Sequence, residues 1–323
     1  MLPSLRNALL IHNPNAGNGG SGRRRLLDEA RRILSRGGIE VDFQETRAPG
    51  EATAMAQRAT AEGRQLVIAC GGDGTLNEIV NGLASQQNGH RVPLALLPGG
   101  TANILAKEIG LPWDIPAAAH KLVHGEVKEI ALGLATPLNE PSQALYFLSV
   151  AGAGPDGTIV YSIDLDLKAQ VGILAYWWQG AREIFRYKYP HFRVVTGNEK
   201  LDVSLVVVGR TKHYGGPFRI TDEADLYTDQ FELMGLTTRS GFRYLSYLPT
   251  LWAGKLRGTE GVHYWKAKSI VCEPLDSNPV YAQVDGEPLG RLPVEFKIVP
   301  RALKLLVPKD ATAAAKIPAQ SKN

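Results

Sequence analysis

Leu66-Val67-Ile68-Ala69-Cys70-Gly71-Gly72-Asp73-Gly74-Thr75-Leu76-Asn77-Glu78 is the stretch that decides the fold. Its opening apolar run, with no polar alternation, reads as a strand buried on both faces, as in a parallel sheet. Glycines then free the backbone to turn, and a helix is expected from about Leu76 to Leu83 with Thr75 as its N-cap. Such a turn brings backbone N–H groups close to an anion, and the helix dipole favours negative charge there. Asp73 would repel a phosphate, so its presence inside the turn hints at Mg²⁺ or a water network around one. An ordinary strand–turn–helix connection is the competing reading of this stretch taken alone.

The flanking sequence repeats the pattern. Leu94–Leu97 is a second apolar strand, followed by Pro98-Gly99-Gly100-Thr101-Ala102-Asn103 and a helix through Ile109. Upstream, the run Ala8–His12 leads into Asn13-Pro14-Asn15-Ala16-Gly17-Asn18-Gly19. Gly22–Arg36 has helical spacing with Leu26, Leu27, Ala30, Ile33 and Leu34 on one face, Val41–Thr46 alternates as a strand, and Glu51–Glu62 is helical. Strands alternating with helices predict a parallel sheet covered on both faces, with ligands beyond the carboxyl ends of the strands. Neither Walker A spacing nor protein-kinase signatures occur, so these loops are a different phosphate-binding arrangement.

After about Lys128 the texture changes. Tyr146–Ala151, His191–Thr196, Leu201–Val208, Phe231–Leu236, Ser269–Glu273, Val280–Val284 and Val294–Val299 read as strands separated by turn residues, which predicts an antiparallel β-sandwich. Helices are expected near Val171–Tyr187 and Phe242–Lys255. The expected division is an α/β domain over residues 1–130, a sandwich over 131–302, a late strand at about 303–308 returning to the first domain, and a flexible tail over 309–323.

The chain has 323 residues, a formal net charge of +4 and a pI near 8.9. That balance suits anionic partners but is too weak for nucleic acid, which needs a clustered basic patch. Cys70 and Cys272 end or sit in apolar runs with no metal spacing, and read as buried hydrophobes of a reducing compartment. The first residues lack an apolar signal core, and no run reaches the ~18 apolar residues a membrane span needs. A cytoplasmic protein that visits membranes only transiently is the expectation. The stretch Tyr176-Trp177-Trp178 with Arg182, Phe185, Arg186, Tyr187, Lys188 and Tyr189 suits a lipid–water interface, or a packed helix with snorkelling cations. A homodimer is left open.

The loops resemble the diacylglycerol kinase catalytic-domain family, which takes in diacylglycerol kinases, sphingosine kinases and bacterial relatives. Asn13-Pro14-Asn15-Ala16-Gly17, Glu45-Thr46 with Gly50-Glu51-Ala52, the two central glycine loops and Asp285-Gly286-Glu287 carry the resemblance, which spans about Asn7 to Pro308. NAD kinases share Gly-Gly-Asp-Gly-Thr, but the Leu76-Asn77-Glu78 continuation and Gly100-Thr101-Ala102-Asn103 favour the lipid kinases. The resemblance implies an NAD kinase/diacylglycerol kinase-like α/β domain, a C-terminal β-sandwich, and transfer of the γ-phosphate of ATP, with Mg²⁺, to a hydroxyl of diacylglycerol or a related lipid alcohol such as a sphingoid base. It implies ATP binding by Asn13, Asn15, Ala16, Gly17, Thr46, Gly71, Gly72, Gly74, Thr75, Asn77, Glu78, Gly100, Thr101 and Asn103, with Asp73 and Glu287 catalytic and Glu287 the general base. It also implies a Mg²⁺ site in the second domain on Leu226, Asp229 and Phe231. The chain departs from the commoner family pattern at Ala131, at Pro155, and in Asp222-Glu223-Ala224 with Thr228-Asp229-Gln230. A kinase of a soluble acceptor such as NAD, and a binding protein without turnover, stand as alternatives.

Overall fold

The structure is a computed structural model that describes residues 5–17, 21–85, 92–162, 187, 189–197, 199–214 and 218–309. The chain divides into two compact units, Met1–Ala131 with Arg301–Asn323, and Leu132–Pro300. The helix expected over Val171–Tyr187, apart from Tyr187 itself, and most of the tail lie outside the described residues.

In the first unit, strands β1 (Asn7–His12), β2 (Glu40–Glu45), β3 (Leu66–Gly71) and β4 (Leu94–Pro98) pair in parallel in the order β2-β1-β3-β4. Every residue of β3 and β4 is buried, as their apolar runs require, whereas edge strand β2 has none buried. Helices α1 (Ser21–Arg36), α2 (Glu51–Ala61), α3 (Asp73–Ala84), α4 (Ile104–Glu108) and α5 (Ile115–Val123) connect the strands. On α1, Leu27, Ala30, Ile33 and Leu34 are buried; Leu26 sits at the rim of that stripe and is 37% exposed. Helix α3 begins three residues earlier than expected. Gly72 is extended (φ −86°, ψ −177°) and takes the N-cap position, so Thr75 lies inside the first turn rather than capping it.

Strand β5 (Glu126–Pro137), which the sequence did not signal, leads into the second unit. The strands that follow are β6 (Leu145–Phe147), β7 (Val150–Ala153), β8 (Phe192–Thr196), β9 (Glu199–Val203), β10 (Leu205–Gly209), the short pair β11 (His213–Tyr214) and β12 (Phe218–Arg219), β13 (Phe231–Leu236), β14 (Val262–Ala267), β15 (Ser269–Pro274), β16 (Tyr281–Val284), β17 (Glu287–Arg291) and β18 (Val294–Val307). Helices α6 (Pro155–Ser162) and α7 (Gly241–Trp252) lie among them. One antiparallel sheet runs β14-β13-β10-β7-β16-β17. Strands β9, β8 and β15 extend the first part of β18 antiparallel in a second sheet, with β5 and β6 alongside. Phe147 of the second sheet stacks on Phe231 of the first (centroids 5.6 Å) and meets Phe296 edge-on, so aromatic packing joins the two layers.

Two expected strands each prove to be two. The chain leaves β6 for β7 at Leu148-Ser149, and β9 for β10 at Ser204, and each time it changes sheet. The reverse holds at the end: Val294–Val299 and Leu303–Val307 are one strand, continuous through Arg301 at φ +50°. Its last residues belong to the first unit, where Leu305 pairs with Leu94 of β4 in parallel.

Candidate functional site

In the first unit, the turns after β1, β3 and β4 meet at the carboxyl ends of the strands. The Asn13 N–H donates to the Cys70 carbonyl (2.9 Å), and the Gly99 N–H to the Gly71 carbonyl (3.1 Å). Asn13 also donates through Nδ2 to Thr75 Oγ1 (2.9 Å) and accepts the Asn15 N–H on Oδ1 (2.9 Å). The two central glycine loops lie against each other: a Cβ on Gly100 would fall 2.5 Å from the Gly72 Cα, and one on Gly99 3.0 Å from the Gly71 nitrogen. Glycine is therefore needed there for close backbone approach as well as for freedom of turn. Asp73 Oδ1 accepts the Ile104 N–H (2.9 Å), which ties the start of α3 to the start of α4.

The remaining expected nucleotide residues fall into distinct environments. Asn15, Gly17 and Thr101 are exposed; Ala16, Gly72, Gly74 and Gly100 are half-buried; Gly71 is buried. Thr46, buried, follows β2 and donates its N–H to the His12 carbonyl (2.9 Å). Asn103 is turned into its own loop, with Nδ2 donating to the Gly100 carbonyl and Oδ1 accepting the Gly100 N–H, both at 2.8 Å. Asn77 is buried on α3 and accepts from Asn81. Glu78 accepts the Ala52 N–H in the first turn of α2 (3.2 Å), so it braces a helix rather than standing open among the loops.

Beside Asn15 and Thr46 lies a groove of about 800 Å³ in which Arg24, Arg47 and Arg58 outnumber Glu45 and Glu51. The sequence reading passed over these arginines because they come from α1, the turn after β2, and α2, with no shared spacing. His12, buried at the end of β1, lies with Nδ1 3.5 Å from Glu45 Oε1. Burial lowers its pKa below the usual 6.5 despite the opposing pull of Glu45.

In the second unit, Glu287 opens β17 directly after a two-residue turn in which Asp285 (φ +48°) and Gly286 (φ +85°) are both left-handed. This is the tight hairpin geometry that Asp-Gly favours. The Asp285 carboxylate accepts the N–H groups of Leu148 (2.8 Å), Ser149 (3.0 Å) and Val150 (2.9 Å). Gln283 accepts the Gly286 N–H on Oε1 (2.9 Å) and donates through Nε2 to Asp156 Oδ2 (2.6 Å). Tyr214 Oη donates to the other oxygen of Asp156, whose pKa is raised by burial against the opposing effect of these two bonds. The residue before Glu287 is thus fixed by a partly buried polar chain that no sequence motif revealed.

Of the residues expected to hold Mg²⁺ in this unit, Leu226 has its carbonyl oxygen already engaged. Arg210, fully buried after β10, donates from Nη2 to the Leu226 carbonyl (2.7 Å) and from Nη1 to the carbonyls of Thr228 (2.6 Å) and Gln230 (2.9 Å). Burial pulls its pKa down to about 10, with Asp229 and Asp225 opposing, so the guanidinium stays charged at neutral pH. Phe231 is a core residue stacked on Phe147. A divalent ion on the Leu226 oxygen would have to displace the guanidinium, so this arrangement does not fit the metal.

The Diacylglycerol kinase catalytic domain profile matches residues 7–135, and the YegS C-terminal NAD kinase beta sandwich-like domain profile matches residues 149–307. A diacylglycerol kinase of Staphylococcus haemolyticus (strain JCSC1435) is 30% identical over 94% of this chain and 88% of its own length. The chain belongs to the diacylglycerol kinase family. Another diacylglycerol kinase, from Bacillus subtilis (strain 168), is 29% identical over 95% of this chain and 98% of its own length. The crystal structure of a diacylglycerol kinase from Bacillus anthracis str. Sterne shares the fold, with a TM-score of 0.74 at 23% identity, covering 94% of this chain and 97% of that one. As a member of this family the protein is a kinase with an N-terminal parallel α/β domain and a C-terminal β-sandwich. No helix among the described residues is long and apolar enough to cross a membrane.

Proposed function

We propose that the protein transfers the γ-phosphate of Mg·ATP to the hydroxyl of a lipid alcohol, diacylglycerol or a close relative. The observation that carries this reading is the contact of Gly71-Gly72 with Gly99-Gly100 at the N-terminus of α3. It leaves a side-chain-free backbone surface at a helix start, suited to a polyphosphate. Asn13, Gly17, Thr75 and Thr101 border that surface in sequence, and the arginine groove offers neutralising charge for the nucleotide. Asp73 is the carboxylate assigned to the magnesium of Mg·ATP, with one oxygen already engaged by Ile104.

Glu287 is assigned as the general base. It would take the proton of the lipid hydroxyl as that oxygen attacks the γ-phosphorus and ADP leaves with the bridging oxygen. A base set on a strand behind a fixed hairpin turn is restrained in a way a surface glutamate is not. The acceptor would be met by a cytoplasmic enzyme at the membrane surface. Phe242 and Trp252 of α7, 78% and 72% exposed, are apolar contacts suited to that interface.

The test is incubation with labelled ATP and Mg²⁺ against a panel of diacylglycerol, sphingoid base, ceramide and NAD. Label in a lipid product, and loss of turnover by ~10²–10⁴-fold in Glu287→Gln with little change in KM for ATP, is the expected result. Label only in NAD, or nucleotide binding with no transfer to any acceptor, would overturn the reading.

A further inference from the structure

Arg210 leaves the end of β10 with its backbone N–H on the Ser149 carbonyl (2.8 Å) and its side chain wholly inside the second unit. There it meets a turn built for a cation. Asp225 folds the turn, accepting the Tyr227 N–H on its carboxylate and both the N–H and the hydroxyl of Thr228 on its carbonyl. The result is that alternate carbonyls, those of Leu226, Thr228 and Gln230, all face one guanidinium, the first at Nη2 and the other two at Nη1. Converging carbonyl dipoles with carboxylates nearby are the usual donor set of a hard divalent ion. Here the partner is a guanidinium whose N–H groups reach the oxygens at 2.6, 2.7 and 2.9 Å. Mg²⁺ needs its oxygens at about 2.0–2.1 Å in octahedral array. A divalent ion brought to these oxygens would meet the positive charge of the guanidinium at close range and compete with it for them.

We propose that Arg210 is an internal, covalently attached cation that takes the place of a metal in the Leu226–Gln230 turn, so that the second unit keeps its fold without a divalent ion. Arginine suits the role because it is always charged and carries several donors in a fixed plane, enough for three carbonyls at once. A metal must be captured from solution and can be removed by a chelator; a side chain cannot. Mg²⁺ dependence of the protein then belongs to the nucleotide alone. The inference does not rest on which acceptor is phosphorylated.

Nucleotide-free protein carries the experiment. Metal analysis after dialysis, and thermal melts with EDTA and with millimolar Mg²⁺, need no variant. The expected result is far less than one divalent ion per chain and the same Tm in both buffers. One bound ion per chain, or a Tm that falls on chelation, would overturn the proposal. Arg210→Met keeps the length of the side chain and removes the charge and donors. It should melt roughly 10 °C lower in EDTA and recover part of the loss with Mg²⁺, which can now reach the carbonyls. Melting like the parent protein in EDTA would show that the guanidinium is not needed and would equally sink the idea. If Arg210→Met fails to fold, Arg210→Lys keeps the test open: it retains a cation and should lose less, with the parent's indifference to EDTA.

Discussion

His12 is buried one residue before Asn13, in a place that burial makes hostile to an imidazolium. Its folded-state pKa lies below 6.5, so between the two values the unfolded chain binds a proton that the folded chain refuses. Its contribution to stability is therefore complete above pH 6.5 and is lost as the pH falls toward the folded-state value. Melts of the parent and of His12→Gln from pH ~7.5 down to ~5 should show a shallower acid decline in the variant; parallel curves would deny His12 this role. At this scale the sequence was legible where residue type followed from backbone demand. Gly71 and Gly100 could be read because close approach tolerates no side chain. Glu78 and Asn103 could not be placed, because a carboxylate or amide satisfied within the protein looks the same in sequence as one offered to a ligand.

The hairpin between β16 and β17 shows what an element requires to hold one side chain still. Its turn is left-handed at two successive residues, and Asp285 anchors it by accepting three backbone N–H groups from the β6–β7 junction. Asp285→Ala leaves those donors without their carboxylate and should cost about 2–3 kcal/mol in urea unfolding, with kcat falling as Glu287 loses the anchored turn that restrains it. Asp285→Asn, which keeps an acceptor, should lose less; equal losses in both would argue against the anchoring role. The sequence marked Asp285-Gly286 as a tight turn, but nothing near it named Leu148–Val150 as its partner, since the two are far apart in the chain. The same limit explains the strand errors. Tyr146–Ala151 and Leu201–Val208 are interrupted only by single small or polar residues, Ser149 in the first and Asp202 and Ser204 in the second, which a strand tolerates, so periodicity could not reveal that each changes sheet part-way, near Ser149 and at Ser204. Pro300-Arg301 looked like an end because proline punctuates strands, yet a left-handed Arg301 lets β18 continue.

For the whole molecule, the alternation of strand and helix fixed the first unit and the dense β segments the second, while the route of the chain between them was harder to read. It passes from one unit to the other within β5, at Ala131/Leu132, and returns within β18, at Pro300/Arg301. The returning residues are not a loose appendage: Leu303, Leu305, Leu306 and Val307 are buried, and Leu305 pairs with β4, the strand that leads into the second glycine loop. A chain cut after Pro300 should therefore lose protease resistance around β4 and bind nucleotide less tightly; limited proteolysis and a nucleotide titration would show it, and an unchanged digestion pattern would count against it. The connection also sets an order of events during synthesis. The unit that begins at the amino terminus is the last to be completed on the ribosome, because β4 must wait for the entire sandwich to be translated before its partner strand emerges.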